Sequence, residues 1–196
     1  MSHVMVPLED HFNNSGISFI GSCHRGDFDG LGNSFPAEEL PAFGKKVEFN
    51  GTPFLFPPKN DGAPDNMALE GQQIVVPHAK YQTLAVLGAS DSARYADGAF
   101  EDYIYFCSGD KQQARSLSLK DWICIAEQRA GGREALRCPV MNTPSGHISK
   151  SEKGYETLPT LWLEEIALDD RDYLCSIIFP DNPCMHVFAM TLRLHK

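Results

Sequence analysis

Apolar residues in this chain fall in short runs that either alternate with polar ones or fill both faces. No segment sustains the 3.6-residue period of an amphipathic helix. Sixteen glycines and thirteen prolines interrupt these runs along the whole length, a pattern that predicts many short strands joined by turns. Residues 17–20 read as a first strand. Residues 36–40 read as one helical turn, with Ser34 as its N-cap and Pro41 as its limit. In residues 46–56, Asn50-Gly51 stands between two strand-like runs, the signature of a type I′ hairpin, and Pro53 marks the second arm as short or edge-lying. Strands are further predicted over 72–76, 83–87, 102–107, 121–126, 160–168, 173–179 and 185–194. The 83–87 run is apolar on both faces, as in a central covered strand. Residues 130–155 are the most polar stretch and read as a long loop. The expectation is an all-β jelly-roll β-sandwich of about ten antiparallel strands, a single domain over residues 1–196.

The 196 residues suffice for a substantial core, and a net charge of −9 without a basic patch argues against nucleic-acid binding. No run reaches transmembrane length. The N-terminus carries neither a basic region nor an apolar one, so a cytoplasmic protein is expected. Cys23, Cys107, Cys124, Cys138, Cys175 and Cys184 include no CxxC pair, which speaks against zinc. Reduced thiols are expected, several of them as small core residues.

The densest cluster of oxygen-bearing side chains lies between Asp27 and Asn33. Asp27, Asp29, Gly32 and Glu38 match positions one, three, six and twelve of an EF-hand, but Leu31 holds position five and Pro36 sits where the exiting helix would start. What survives is either an Asx-rich turn or a Ca²⁺ site built from Asp27, Asp29 and Asn33.

Several stretches together resemble the accessory β-sandwich domain of microbial glycoside hydrolases. They are Phe12-Asn-Asn-Ser-Gly-Ile-Ser, Asp27-Phe-Asp-Gly-Leu-Gly-Asn-Ser34, Asp65-Asn66, Gly71-Gln72, residues 84–89, Asp121-Trp122 and Pro180-Asp-Asn-Pro183 with the strand that follows. The resemblance covers most of the chain and implies a jelly roll related to carbohydrate-binding modules. Stand-alone natural-product cyclases on a similar scaffold, which bind Ca²⁺ for stability, offer a second model.

Candidate chemistry comes from strand alternation. His186, Phe188, Met190, Leu192 and Leu194 share one face of the last strand; Trp162, Glu164, Ile166 and Leu168 share one face of the 160–168 strand. Glu164 and His186 are thus a candidate acid–base pair in an apolar cavity, against a plainer reading of His186 as a hydrogen-bonded core residue and Glu164 as solvent-facing. Tyr103, Tyr105, Trp122 and Trp162 are candidates for stacking on a sugar, with His147 closing over it from the polar stretch; both tryptophans also read as core. Two functions follow. One is a non-catalytic module binding a glycan or other small polar ligand, with a structural Ca²⁺ and no organic cofactor. The other is a cyclase or isomerase of small metabolites. A third reading is a purely structural interaction partner that pairs through exposed sandwich edges, and a homodimer is compatible with all three.

Overall fold

The computed structural model describes residues 2–22, 26–42, 44–57, 62–92, 98–123, 131–149, 158–169 and 172–195. Two antiparallel sheets face one another. The larger contains β1 (His3–Val6), β6 (Met67–Glu70), β8 (Tyr81–Ser90), β11 (Glu134–Arg137), β14 (Thr160–Ala167) and β16 (Asp181–Leu194), in the order β1-β16-β8-β14-β11, with β6 also on β16. The smaller runs β10-β9-β15-β7, from β7 (Gln73–Ala79), β9 (Ala99–Ser108), β10 (Lys111–Lys120) and β15 (Leu174–Ile178). Ten strands among the described residues therefore build the sandwich. The chain crosses repeatedly from one sheet to the other, as in a jelly roll.

Two cores flank the larger sheet. Between the sheets lie Leu84, Val86, Ile104, Phe106, Leu117, Leu119, Ile166, Ile177, Met190 and Leu192. The other face is covered by Phe28, Phe35, Phe54 and Phe56 of the N-terminal segment, packed on Leu87, Ala89, Trp122, Leu161, Leu163 and Phe188. This explains why β8 is apolar on both faces: it is buried from both sides, Ala85, Leu87 and Ala89 on one and Leu84 and Val86 on the other. Each fully buried phenylalanine of the second core contributes about 1.5–3 kcal/mol.

Smaller pieces hold that cover in place. β4 (Lys46–Phe49) and β5 (Thr52–Leu55) form the Asn-Gly hairpin as expected, with Asn50 at φ 49° and Gly51 at φ 80°. The predicted strand over 17–20 is only β2 (Ile17–Ser18), paired in parallel with β3 (Phe35–Pro36). The helical turn is a 3-10 turn over Ala37–Glu39, and Ser34 does not cap it; its hydroxyl bonds that of Ser18 at 2.7 Å.

Three expectations are corrected. β10 was missed, because its row Gln112, Ala114, Ser116 faces outward and only Leu117 and Leu119 are buried. The predicted strand over 121–126 is an isolated bridge of Asp121 with Ser90 followed by a turn, and residues 124–126 lie outside the described residues. The stretch read as a long loop contains β11, β12 (Val140–Thr143) and β13 (Gly146–Ser149). Buried Asn142 ties that hairpin down, donating to the Ser18 carbonyl at 2.8 Å and exchanging backbone hydrogen bonds with Ser34. Among the described residues no helix is long and apolar enough to cross a membrane.

Candidate functional site

A bulge in β16 decides where the two proposed acid–base residues go. Its register against β8 slips between Val187 and Ala189, so the side-chain alternation restarts there. Met190 and Leu192 point between the sheets, whereas His186 and Phe188 point into the second core. His186 pairs with Ala89 in register, is 2% exposed, and lies against the Phe28 ring at 4.3 Å between centroids. Glu164 pairs with Val86 and so projects on the inter-sheet face. The two therefore stand on opposite faces of the larger sheet. They do not form an acid–base pair.

His186 belongs instead to a buried polar chain. Its Nδ1 donates to Asn66 Oδ1 at 2.9 Å, because the Asn66 amide nitrogen is already committed to Asn14 and to Asp65 Oδ1. Asp65 also accepts from the backbone N–H groups of Gly16 and Ile17, both at 3.0 Å. Nε2 of His186 lies 3.9 Å from Asp91 Oδ2, too far for a hydrogen bond, and has no hydrogen-bond partner among the described residues. Asp91 in turn accepts from the Cys184 thiol, which burial and that carboxylate push up to about 11, so this cysteine is no thiolate nucleophile near neutrality.

Burial pushes the Asp65 carboxyl up to about 7 against the opposing pull of its Asn66, Gly16 and Ile17 donors. A folded-state value above the unfolded one means that protonation favours the fold. The contribution is complete below about pH 4 and lost as pH rises through about 7. Wild type should therefore lose up to roughly 4 kcal/mol relative to Asp65→Asn across that window. Urea melts at several pH values measure the difference, and parallel pH profiles would contradict it.

Glu164 is the group with cavity access. It is half-buried and forms no hydrogen bond among the described residues. It opens on a cavity of about 260 Å³ walled by Trp162, Ser118, Lys120 and Arg133. Burial raises its carboxyl above the ordinary value of 4.5; Arg133 and Lys120 oppose the shift, while Glu101 and Glu165 add to it. Gly132 makes the wall possible, since a Cβ there would stand 2.5 Å from the Lys120 stem and 2.9 Å from the Trp162 ring. The Trp162 indole donates to the Asp121 carbonyl at 3.0 Å, and Arg133 pairs with Glu165, which pairs with Ala85 and so faces the other way. Lys120, Arg133 and Ser118 have no motif to announce them; the approach of β10 to β14 places Ser118 and Lys120 here, and a backbone hydrogen bond from Leu163 N to the Arg133 carbonyl at 2.8 Å places Arg133.

The expected sugar-stacking residues do not meet. Trp122 is fully buried in the second core and offers no surface for stacking. Trp162, 3% exposed, shows only part of its ring to the Glu164 cavity. Tyr103, 61% exposed, and half-buried Tyr105 do share a face, the outer one of the smaller sheet, away from that cavity. His147 is exposed on β13.

The Asp27–Asn33 segment folds as an Asx turn. Asp27 Oδ1 accepts from Gly32 N at 2.8 Å, and Asp29 Oδ1 accepts from Leu31 N and Asn33 N. The Asn33 amide donates to Asp29 Oδ2 at 2.7 Å. The loop's own donors thus engage Asp27 Oδ1 and both Asp29 oxygens, as the Asx-rich-turn reading expects. No group of three or more His, Cys, Asp or Glu suited to a metal occurs among the described residues.

The chain matches the family model of the AziU2-like beta-sandwich domain over residues 2–196. The chain belongs to this AziU2-like family. A search of curated proteins found no match. The β-sandwich implied by the glycoside-hydrolase resemblance is present, but the AziU2-like match does not extend to carbohydrate-binding modules in particular. In the AziU2-like chain described here, the Glu164 cavity is where an accessible, partly desolvated carboxyl meets two cationic side chains.

Proposed function

We propose that the protein is an enzyme of natural-product biosynthesis that cyclises or isomerises a small metabolite, with Glu164 as its general acid–base. Membership of the AziU2-like family favours a biosynthetic role over a glycan-binding one. The observation that carries the reading is Glu164 itself: a carboxyl raised by burial, without a hydrogen-bond partner among the described residues, at the wall of a cavity. A raised carboxyl exchanges protons near neutral pH better than an ordinary one.

In an isomerisation, the Glu164 carboxylate takes a proton from a carbon beside a carbonyl. The electron pair moves onto the carbonyl oxygen, where Lys120 and Arg133 stabilise the developing charge. The carboxylic acid then returns the proton at the new position, which restores the enzyme. Trp162 packs against the apolar body of the substrate.

The test is a gene deletion read by metabolite profiling. Wild type restores the missing product; Glu164→Gln, produced at the same level, leaves the precursor accumulating. Full restoration by Glu164→Gln would overturn the proposal.

A second reading rests on the tyrosine face. Exposed Tyr103 beside Tyr105 is a platform of the kind that stacks on sugar rings. Binding on a glycan array that Tyr103→Ala abolishes would favour it.

A further inference from the structure

At the opposite end of the β10–β14 seam from Glu164, the two sheets part around a cavity of about 390 Å³. Its size falls within the range of small-molecule sites. The floor is aromatic and aliphatic: Tyr81, Phe106 and Leu174 are each buried. Over this floor the inward row of β10 changes character. Leu119 and Leu117 pack between the sheets, but Arg115, Gln113 and Lys111, further along the same face, are polar. Gln113 is paired with Phe106 in register and Lys111 with Ser108, so all four look toward the cavity that they line.

Two of these groups are uncommitted. The half-buried Gln113 amide and the half-buried Ser108 hydroxyl make no hydrogen bond among the described residues, although inward positions of a sandwich are ordinarily apolar. The Tyr81 hydroxyl, by contrast, donates to the Pro77 carbonyl at 2.7 Å and contributes only its ring. Across the lip, Lys111 Nζ and Asp172 Oδ1 pair at 2.8 Å. Both are well exposed, so the pair is weak and opens readily.

We infer that this end of the sandwich is a second, independent binding site, for a neutral small molecule with a planar apolar ring and one amide or hydroxyl group. The ring lies on Phe106 and Tyr81. The polar group donates to and accepts from Gln113 and Ser108, which between them offer both roles. Anions are disfavoured: the rim carries Asp169 and Asp172 against Lys111 alone, on a chain of net charge −9. The site shares no residue with the Glu164 cavity, which makes it an effector site separate from the proposed reacting centre.

Benzamide and benzoate are suitable probes, followed by backbone amide NMR shifts of the full chain. Benzamide should move the amides of Phe106, Ser108, Gln113 and Leu174 along one saturating curve, and benzoate should bind at least about tenfold more weakly. Gln113→Ala and Ser108→Ala should each weaken benzamide about tenfold, the factor for one hydrogen bond. Absence of shifts at millimolar benzamide would overturn the inference. So would shifts centred on Glu164, or affinity unchanged in both variants.

Discussion

Replacing Gly88 by alanine is expected to cost at least about 3 kcal/mol, more than a methyl group usually costs in a strand. Gly88 lies near the C-terminal end of β8, opposite Val187 on one side and Trp162 on the other. A Cβ there would stand 2.4 Å from the His186 carbonyl oxygen and 3.3 Å from the Leu119 side chain. The nearer atom is backbone and cannot rotate away. The added methyl must therefore push β16 off β8 at the bulge that sends His186 to one face and Met190 to the other. Urea denaturation should show a lower midpoint with an unchanged slope. A loss under about 1 kcal/mol would mean that the strands do not approach so closely.

Asn66→Ala should cost roughly 3–5 kcal/mol, because one fully buried amide serves three neighbours. It accepts from His186 Nδ1 at 2.9 Å and donates to Asn14 Oδ1 at 2.9 Å and Asp65 Oδ1 at 2.8 Å. Truncation leaves the His186 Nδ1 donor without its acceptor in the interior and removes one donor each from half-buried Asn14 and from Asp65, which keeps those of Gly16 and Ile17. His186 suffers most, since its Nε2 already lacks a hydrogen-bond partner among the described residues. The coupling is checkable: in His186→Phe, the same Asn66→Ala change should cost appreciably less, because the donor it strands is gone. Strict additivity of the two substitutions would show that the Asn66–His186 bond contributes nothing.

The fold was largely legible because strand and turn chemistry are local. Asn50-Gly51 needs positive φ at both positions and obtains it, and the doubly apolar β8 announces burial on both faces. What local pattern does not carry is a bulge. Strict alternation puts His186, Phe188 and Met190 on one face, and a single extra residue in β16 divides them. The pairing of Glu164 with His186 failed on that one slip. Edge strands are a second blind spot: β10 is polar along most of its length because little covers it, so it reads as a linker. Its Ser118 and Lys120 form part of the Glu164 cavity and its Gln113 part of the other, so missing the strand hid most of both sites. Carboxylates within a glycine-rich segment read equally as a metal site and as a turn, and only the fold shows that the loop's amides donate to them.

The measurement that tests the account most directly is turnover by purified protein of the compound that accumulates when the gene is deleted. Wild type should convert it. Glu164→Gln, which keeps the size of the side chain but cannot carry the proton, should do so about 10²–10⁴-fold more slowly, with an unchanged melting temperature. Turnover by the folded Glu164→Gln protein at the wild-type rate would contradict Glu164 as the general acid–base.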